Sequence, residues 1–309
     1  MQREKGSKKG VGGKILKWIG IITAGISLVL GVRQVVSIVQ DHAARKNKAA
    51  ELRLEAQRLS SSGYYSQAWQ SISQAVQLES EYRDAQVNIA MEWLRNARLI
   101  SVRGEQTFTE IAEKLLPVLY RAIDTTREAY SAAVLAHIGW ANYLIFKEGD
   151  RSVKVDEQFR NALDLDPTNL YAHAMYGFWL LFPGHSGGSI DEANQHFAAA
   201  LKNGKDTSYV RHLMFSAYRN ASEPEHQAQI IKLADEMRKN HETIERSERE
   251  RILTGVYYMY RNEIMQEVGK VLSPKDHLET FLYLSQGIDV DAKPFLKEFL
   301  TKLRKAVDG

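Results

Sequence analysis

The sequence predicts an all-α protein: one transmembrane helix near the N-terminus, then a solenoid of antiparallel helix pairs closed by C-terminal capping helices. Three observations carry this. Trp18 to Gln40 is a 23-residue apolar stretch with Arg33 as its single charge. The chain after it is charge-rich, with apolar residues returning at every third or fourth position, the spacing of one helix face. That pattern comes in paired blocks separated by turns, the mark of a repeat architecture.

The apolar stretch is taken first. A hydrocarbon core of about 30 Å needs roughly 20 helical residues at about 1.5 Å each. Starting at Ile15, with Lys17 reaching back to the headgroups, residues 15–40 make the transmembrane helix and residues 1–14 a basic head. A cleaved signal would end in small residues, whereas this run passes directly into Arg33, Gln34 and further Val and Ile. A helix lying in the membrane plane would need a charged face, which Trp18 to Val32 lacks. Arg3, Lys5, Lys8, Lys9, Lys14 and Lys17 precede the span against Glu4. Arg45, Lys46, Lys48 and Arg53 follow it against Asp41 and Glu51. The positive-inside rule therefore favours a cytoplasmic N-terminus and an extracytoplasmic repeat domain, the expected membrane being a bacterial inner one.

Of the 309 residues, 41 are basic and 38 acidic, a net charge of +3. Much of the surplus lies in the basic head, so no basic field points to nucleic acid. The head fits anionic lipid instead. With no cysteine, disulfides, a thiol nucleophile and a cysteine-ligated zinc site are excluded.

Four blocks follow the anchor. Leu52, Ala56 and Leu59 form a stripe broken at Ser61-Ser62-Gly63, and Ala68, Ile72, Ala75 and Val76 form its partner. Ile89, Ala90 and Trp93 are followed, after a longer loop, by Ile111, Ala112, Leu115, Leu116 and Leu119. Leu135, Ile138, Gly139 and Tyr143 are followed by Phe159, Ala162 and Leu163, closed by Asp166-Pro167. Tyr176, Gly177 and Leu180 are followed by Ala193, Phe197, Ala200 and Leu201.

In these residues the chain resembles the tetratricopeptide repeat family, whose signature is W-x2-L-G-x2-Y, then A-x3-F, then Pro. Tyr176-Gly177 with Ala193 and Phe197, and Ile138-Gly139 with Phe159 and Ala162, are similar to it. Leu52, Gln86, Leu135 and His173 replace the signature Trp, and Pro is missing after every copy except the third. The resemblance covers residues 49–240, including a degenerate fifth pair at Tyr209–Asn240, within a repeat domain spanning 41–240. Residues 241–309, with stripes at Ile252, Val256, Tyr257, Tyr260, Ile264 and at Phe295, Phe299, Leu303, are expected to be helices that cap the last apolar face.

The resemblance implies a concave groove lined by the first helix of each pair, binding a protein or peptide partner. Carried over, Trp140, Tyr143 and Leu144 line it in the third copy, and Phe178, Leu181 and Phe182 in the fourth. The first copy presents Arg53, Gln57 and Ser60. The competing reading is that these aromatics are inter-repeat core. Self-association of such faces into a homo-oligomer is a further expectation.

Catalysis has thinner support. His137, His173, His185 and His196 fall in neighbouring repeats, without an H-E-x-x-H or other tight ligand pair, so no metal and no cofactor is expected. Pro183 to Ser189 is glycine-rich, but neither a strand before it nor a Lys-Ser/Thr after it makes a P-loop. It reads as a turn with Ser189 capping the next helix. The expected function is a membrane-anchored scaffold and not an enzyme. The alternative is an enzyme or small-molecule sensor built around His173 and His185.

Overall fold

The computed structural model describes residues 12–97, 107–183, 185, 188–204, 207–220, 224–241, 244, 246, 249–250, 252–254 and 272–308, with side chains from residue 37 onward and outside 220–228. Among the described residues the regular structure is helical, without a strand. The chain forms two compact units, Met1–Trp93 and Leu94–Gly309.

In the first unit α1, Gly12–Ser61, is one uninterrupted helix of 50 residues, about 75 Å long at the standard rise. Among its described side chains the first buried one is Ala49, followed by Leu52 and Ala56. Gly63 ends it in the left-handed region at φ +81, with the Gly63 N–H on the Ser60 carbonyl and the Tyr64 N–H on the Leu59 carbonyl, both at 2.9 Å. These paired bonds form a Schellman stop, which favours glycine at that position. The chain reverses into α2, Tyr65–Leu78. Ala68, Ile72 and Ala75 then meet Leu52, Ala56 and, from α3 (Arg83–Ala97), Ile89. Small residues on both stripes let α1 and α2 approach closely. Arg45 donates to the Leu78 carbonyl at 3.0 Å, satisfying an acceptor at the end of α2 that has no helical partner.

The second unit is built around α5, Glu128–Lys147, in which Val134 through Ile145 are all buried. A helix that is apolar on every side has neighbours on every side. α5 packs against α4 (Phe108–Arg121), α6 (Asp156–Leu165) and α7 (Leu170–Leu180). α7 in turn packs against α8 (Ile190–Asn203) and α9 (Thr207–Asn220), and α9 against α10 (Pro224–Lys239). Gly139 and Gly177 make these approaches close. A Cβ on Gly139 would lie 2.8 Å from the Phe159 ring, and one on Gly177 would lie 3.0 Å from the Phe197 ring. Ser189 caps α8 through the Glu192 N–H, as its position in the sequence leads one to expect. Thr107 and Glu110 form a capping box on α4.

The C-terminal part carries α11 (Pro274–Leu284) on α10 and α12 (Pro294–Asp308) on α11, with Phe281 and Phe299 edge to face at 5.4 Å. Between α10 and α11 the Asp235 carboxylate is buried. It accepts from Arg238 Nη2 at 2.7 Å, pairs with Lys239 Nζ at 2.6 Å and accepts from the Thr280 hydroxyl at 3.1 Å. Burial alone would raise its pKa, but these cations and hydrogen bonds prevail and hold it below the ordinary aspartate value.

Several expectations fall outside this description. The proposed span, residues 15–40, lies mostly where side chains are outside the described residues. Among the described residues no helix is long and apolar enough to cross a membrane. Val256, Tyr257, Tyr260 and Ile264 of the expected capping stripe also lie outside them. The division at Trp93 and Leu94 cuts through α3, inside what the repeat pattern presents as a single array.

Candidate functional site

The structure divides the residues expected to line a groove. Trp140, Tyr143, Leu144 and Phe178 are buried. Rings of Trp140 and Phe178 meet at 5.2 Å, and those of Tyr143 and Phe178 at 5.3 Å. For these four the core reading is the one the geometry supports, because α5 and α7 pack them against one another. The Trp140 indole N–H donates to the Leu94 carbonyl at 3.0 Å. Arg95 reaches the same helices, with its Nη1 3.3 Å from His137 Nε2 and its guanidinium 4.8 Å from the centre of the Tyr171 ring. Leu181 and Phe182, at the end of α7, are partly exposed. In the first unit Arg53 is partly exposed and Gln57 exposed, whereas Ser60, expected beside them, is buried and donates to Glu92 Oε2 at 2.7 Å.

His137 is a core histidine of defined tautomer. The Ala133 carbonyl lies 2.6 Å from Nδ1 and only accepts, so Nδ1 carries the hydrogen. Nε2 is then left with the lone pair that Arg95 meets. Burial first, and the Arg95 charge second, push its pKa down to about 3. It is neutral and satisfied, with no coordination left for a metal.

One open feature of this unit is a cleft of about 630 Å³ beside α6, lined by Phe146, Lys154, Asp156, Arg160, Trp179 and His185. Asp156, in the first turn of α6, organises its base. Its Oδ1 accepts the Trp179 indole N–H at 3.0 Å and lies 3.4 Å from His185 Nε2. Trp179 is sandwiched among Phe146 at 4.9 Å, Phe182 at 5.8 Å and His185 at 4.9 Å. Arg160 donates to the Tyr176 hydroxyl at 3.2 Å, and this bond raises its pKa further. The rim mixes Lys154 with Glu157, at 3.6 Å, and adds Asp164.

An Asp–His contact beside an aromatic wall can orient a polar ligand or move a proton. No hydroxyl or thiol side chain lines the cleft among its described residues, so none of these supplies a nucleophile of the serine or cysteine type. No group of three or more metal-ligating side chains is present among the described residues. Of the two histidines named in the alternative reading, only His185 reaches this cleft. His173 faces His196 on α8, Nδ1 to Nδ1 at 2.8 Å. The parts played by Asp156 and Trp179 escaped sequence reasoning, since their bond joins residues 23 positions apart. The available signal was chemical: a Trp within an apolar helix requires an acceptor for its N–H.

Comparison of the chain with models of known protein families and with curated proteins gives no match in either.

Proposed function

We propose that this chain is a single-pass membrane protein whose tetratricopeptide-like helix pairs dock a protein or peptide partner and perform no chemistry of their own. The observation that carries the reading is a contact made twice. Gly139 under Phe159, and Gly177 under Phe197, set two successive helix pairs at the same close approach, and the first helices of successive pairs, α5, α7 and α9, pack one on the next. Such arrays work by presenting side chains from successive pairs to an extended or helical ligand. Leu181 and Phe182, partly exposed above buried Tyr143 and Phe178, supply the apolar anchor point on the second unit. Arg53 and Gln57 are a separate polar contact on the first. The span at residues 15–40 confines the domain to a membrane and raises its effective concentration for a partner held there.

Full-length protein in detergent, carrying a photo-crosslinking residue in place of Phe182, should yield a discrete adduct from native membranes. Phe182→Ala should lose the partner while the unfolding transition stays close to that of the parent. A second reading, an enzyme or small-molecule sensor around His185, is favoured by the Asp156–His185 contact at 3.4 Å. It replaces the first if no adduct forms and the purified protein has a hydrolase activity that His185→Ala abolishes. Orientation is tested with two C-terminal reporters, one active only outside the cytoplasm and one fluorescent only inside it. Activity outside is expected.

A further inference from the structure

In the pair α7 and α8 two imidazoles meet nitrogen to nitrogen. His173 Nδ1 and His196 Nδ1 are 2.8 Å apart, with ring planes at 43°. The other nitrogen of His173, Nε2, lies 2.9 Å from the Pro167 carbonyl. A carbonyl only accepts, so that nitrogen carries a hydrogen. In neutral His173 the Nδ1 lone pair therefore points at His196, which must supply the Nδ1–H. The gap between the two Nδ1 atoms holds one hydrogen. When the pair takes up one proton, a charged N–H···N contact persists and is stronger than the neutral one. When it takes up two, both Nδ1 atoms carry hydrogen and neither accepts.

We infer that His173 and His196 form a proton-counting clasp between α7 and α8, closed with no added proton or one, and opened by the second. From α7, Tyr176 presents its ring 4.8 Å from His196. From α6, Arg160 is held on the Tyr176 hydroxyl, and Glu192, one turn before His196 on α8, acts on that guanidinium. Asp166, in the turn before α7, accepts from Thr168 and Asn169. Among the described residues, α5 and α9 contribute no charge acting on His196. Burial and the adjacent His173 ring push the His196 pKa down to about 4. The next residue is Phe197, whose ring covers Gly177. Opening the clasp therefore loosens the closest approach in that pair.

The test is an acid titration of full-length protein in detergent, labelled with ¹⁵N in histidine. At neutral pH His196 should carry hydrogen on Nδ1 and His173 on Nε2. The pair should then titrate in two steps separated by more than about one pH unit, as coupled sites do. His173→Leu should leave His196 with a single step at a position different from either step of the parent pair. One common step for both rings in the parent, or a His196 curve unchanged by His173→Leu, overturns the clasp. Thermal melts supply the second measurement. The melting temperature should fall further between neutral and acidic pH in the parent than in the His173→Leu/His196→Leu double variant. Equal falls overturn the mechanical part of the inference.

Discussion

The Trp140 indole N–H and the Leu94 carbonyl are joined at 3.0 Å, so that a side chain of α5 closes the end of α3. Leu94 lies in the last turn of α3, where carbonyls run out of helical donors. The indole satisfies one of them inside the core. Trp140→Phe retains most of the ring and removes the donor. It should cost about 1–3 kcal/mol, the penalty for an unsatisfied buried acceptor. The check is the urea midpoint at an unchanged denaturant slope.

Gly139 and Gly63 should respond to alanine for different reasons. At Gly139 the new methyl would meet the Phe159 ring at 2.8 Å, and such overpacking costs about 1–3 kcal/mol. Phe159→Leu should recover part of that loss, which a double-mutant cycle measures. At Gly63 nothing lies within 4 Å, but φ is +81. There the cost is backbone strain of about 1–2 kcal/mol, and no partner substitution should relieve it.

Acid should weaken the second unit through His137. Its folded pKa is about 3, against 6.5 for the ordinary group. The folded state thus refuses a proton that the unfolded chain accepts. The stability is fully present above about pH 6.5 and drains away as pH falls toward the folded value. Within that window one such histidine contributes a slope of about 1.4 kcal/mol per pH unit. His137→Gln should remove that part of the slope, whatever it does to stability at neutral pH. Chemical unfolding repeated across the window is the measurement.

Asp235 should be among the most sensitive positions of the C-terminal helices. It is buried, and Arg238, Lys239 and Thr280 converge on it. Asp235→Ala strands these partners, a loss of about 3–5 kcal/mol for a broken buried pair. Glu279→Ala removes only a half-exposed partner of Arg238 and should cost about 1 kcal/mol or less. Comparing the two midpoints separates a buried hub from a surface ion pair.

Much of the helical framework was legible. The glycine–phenylalanine spacing at 139/159 and 177/197, the stop at Gly63 and the cap at Ser189 all act locally, and each appears where its residues stand. The core stripe of α12 was legible in part: Phe299 and Leu303 are buried, but Leu296 takes the place expected of Phe295. What covers a stripe was not legible. The apolar positions Trp140, Tyr143 and Phe178 are the same whether a partner or the chain itself lies on them, and here all three are buried within the chain. The cleft was half visible. His185 drew notice as a histidine in a glycine-rich turn, whereas Asp156 looked like an ordinary first-turn acid. Only packing of α6 against α7 brings the two together.

α1 behaves as a mechanical shaft, because Gly12–Ser61 has no interruption between its N-terminal half and the face that packs on α2. In such a shaft, distance and rotation are coupled. Each residue added between Gln40 and Arg45 would move the downstream face outward by about 1.5 Å and turn it by about 100°. Adding two residues would swing the α2-bearing side to roughly the opposite azimuth, whereas adding seven would restore the heading to within about 20° and leave only a displacement. Whatever grips the N-terminal half therefore sets not only how far away the first helix pair stands but also the compass direction in which it faces.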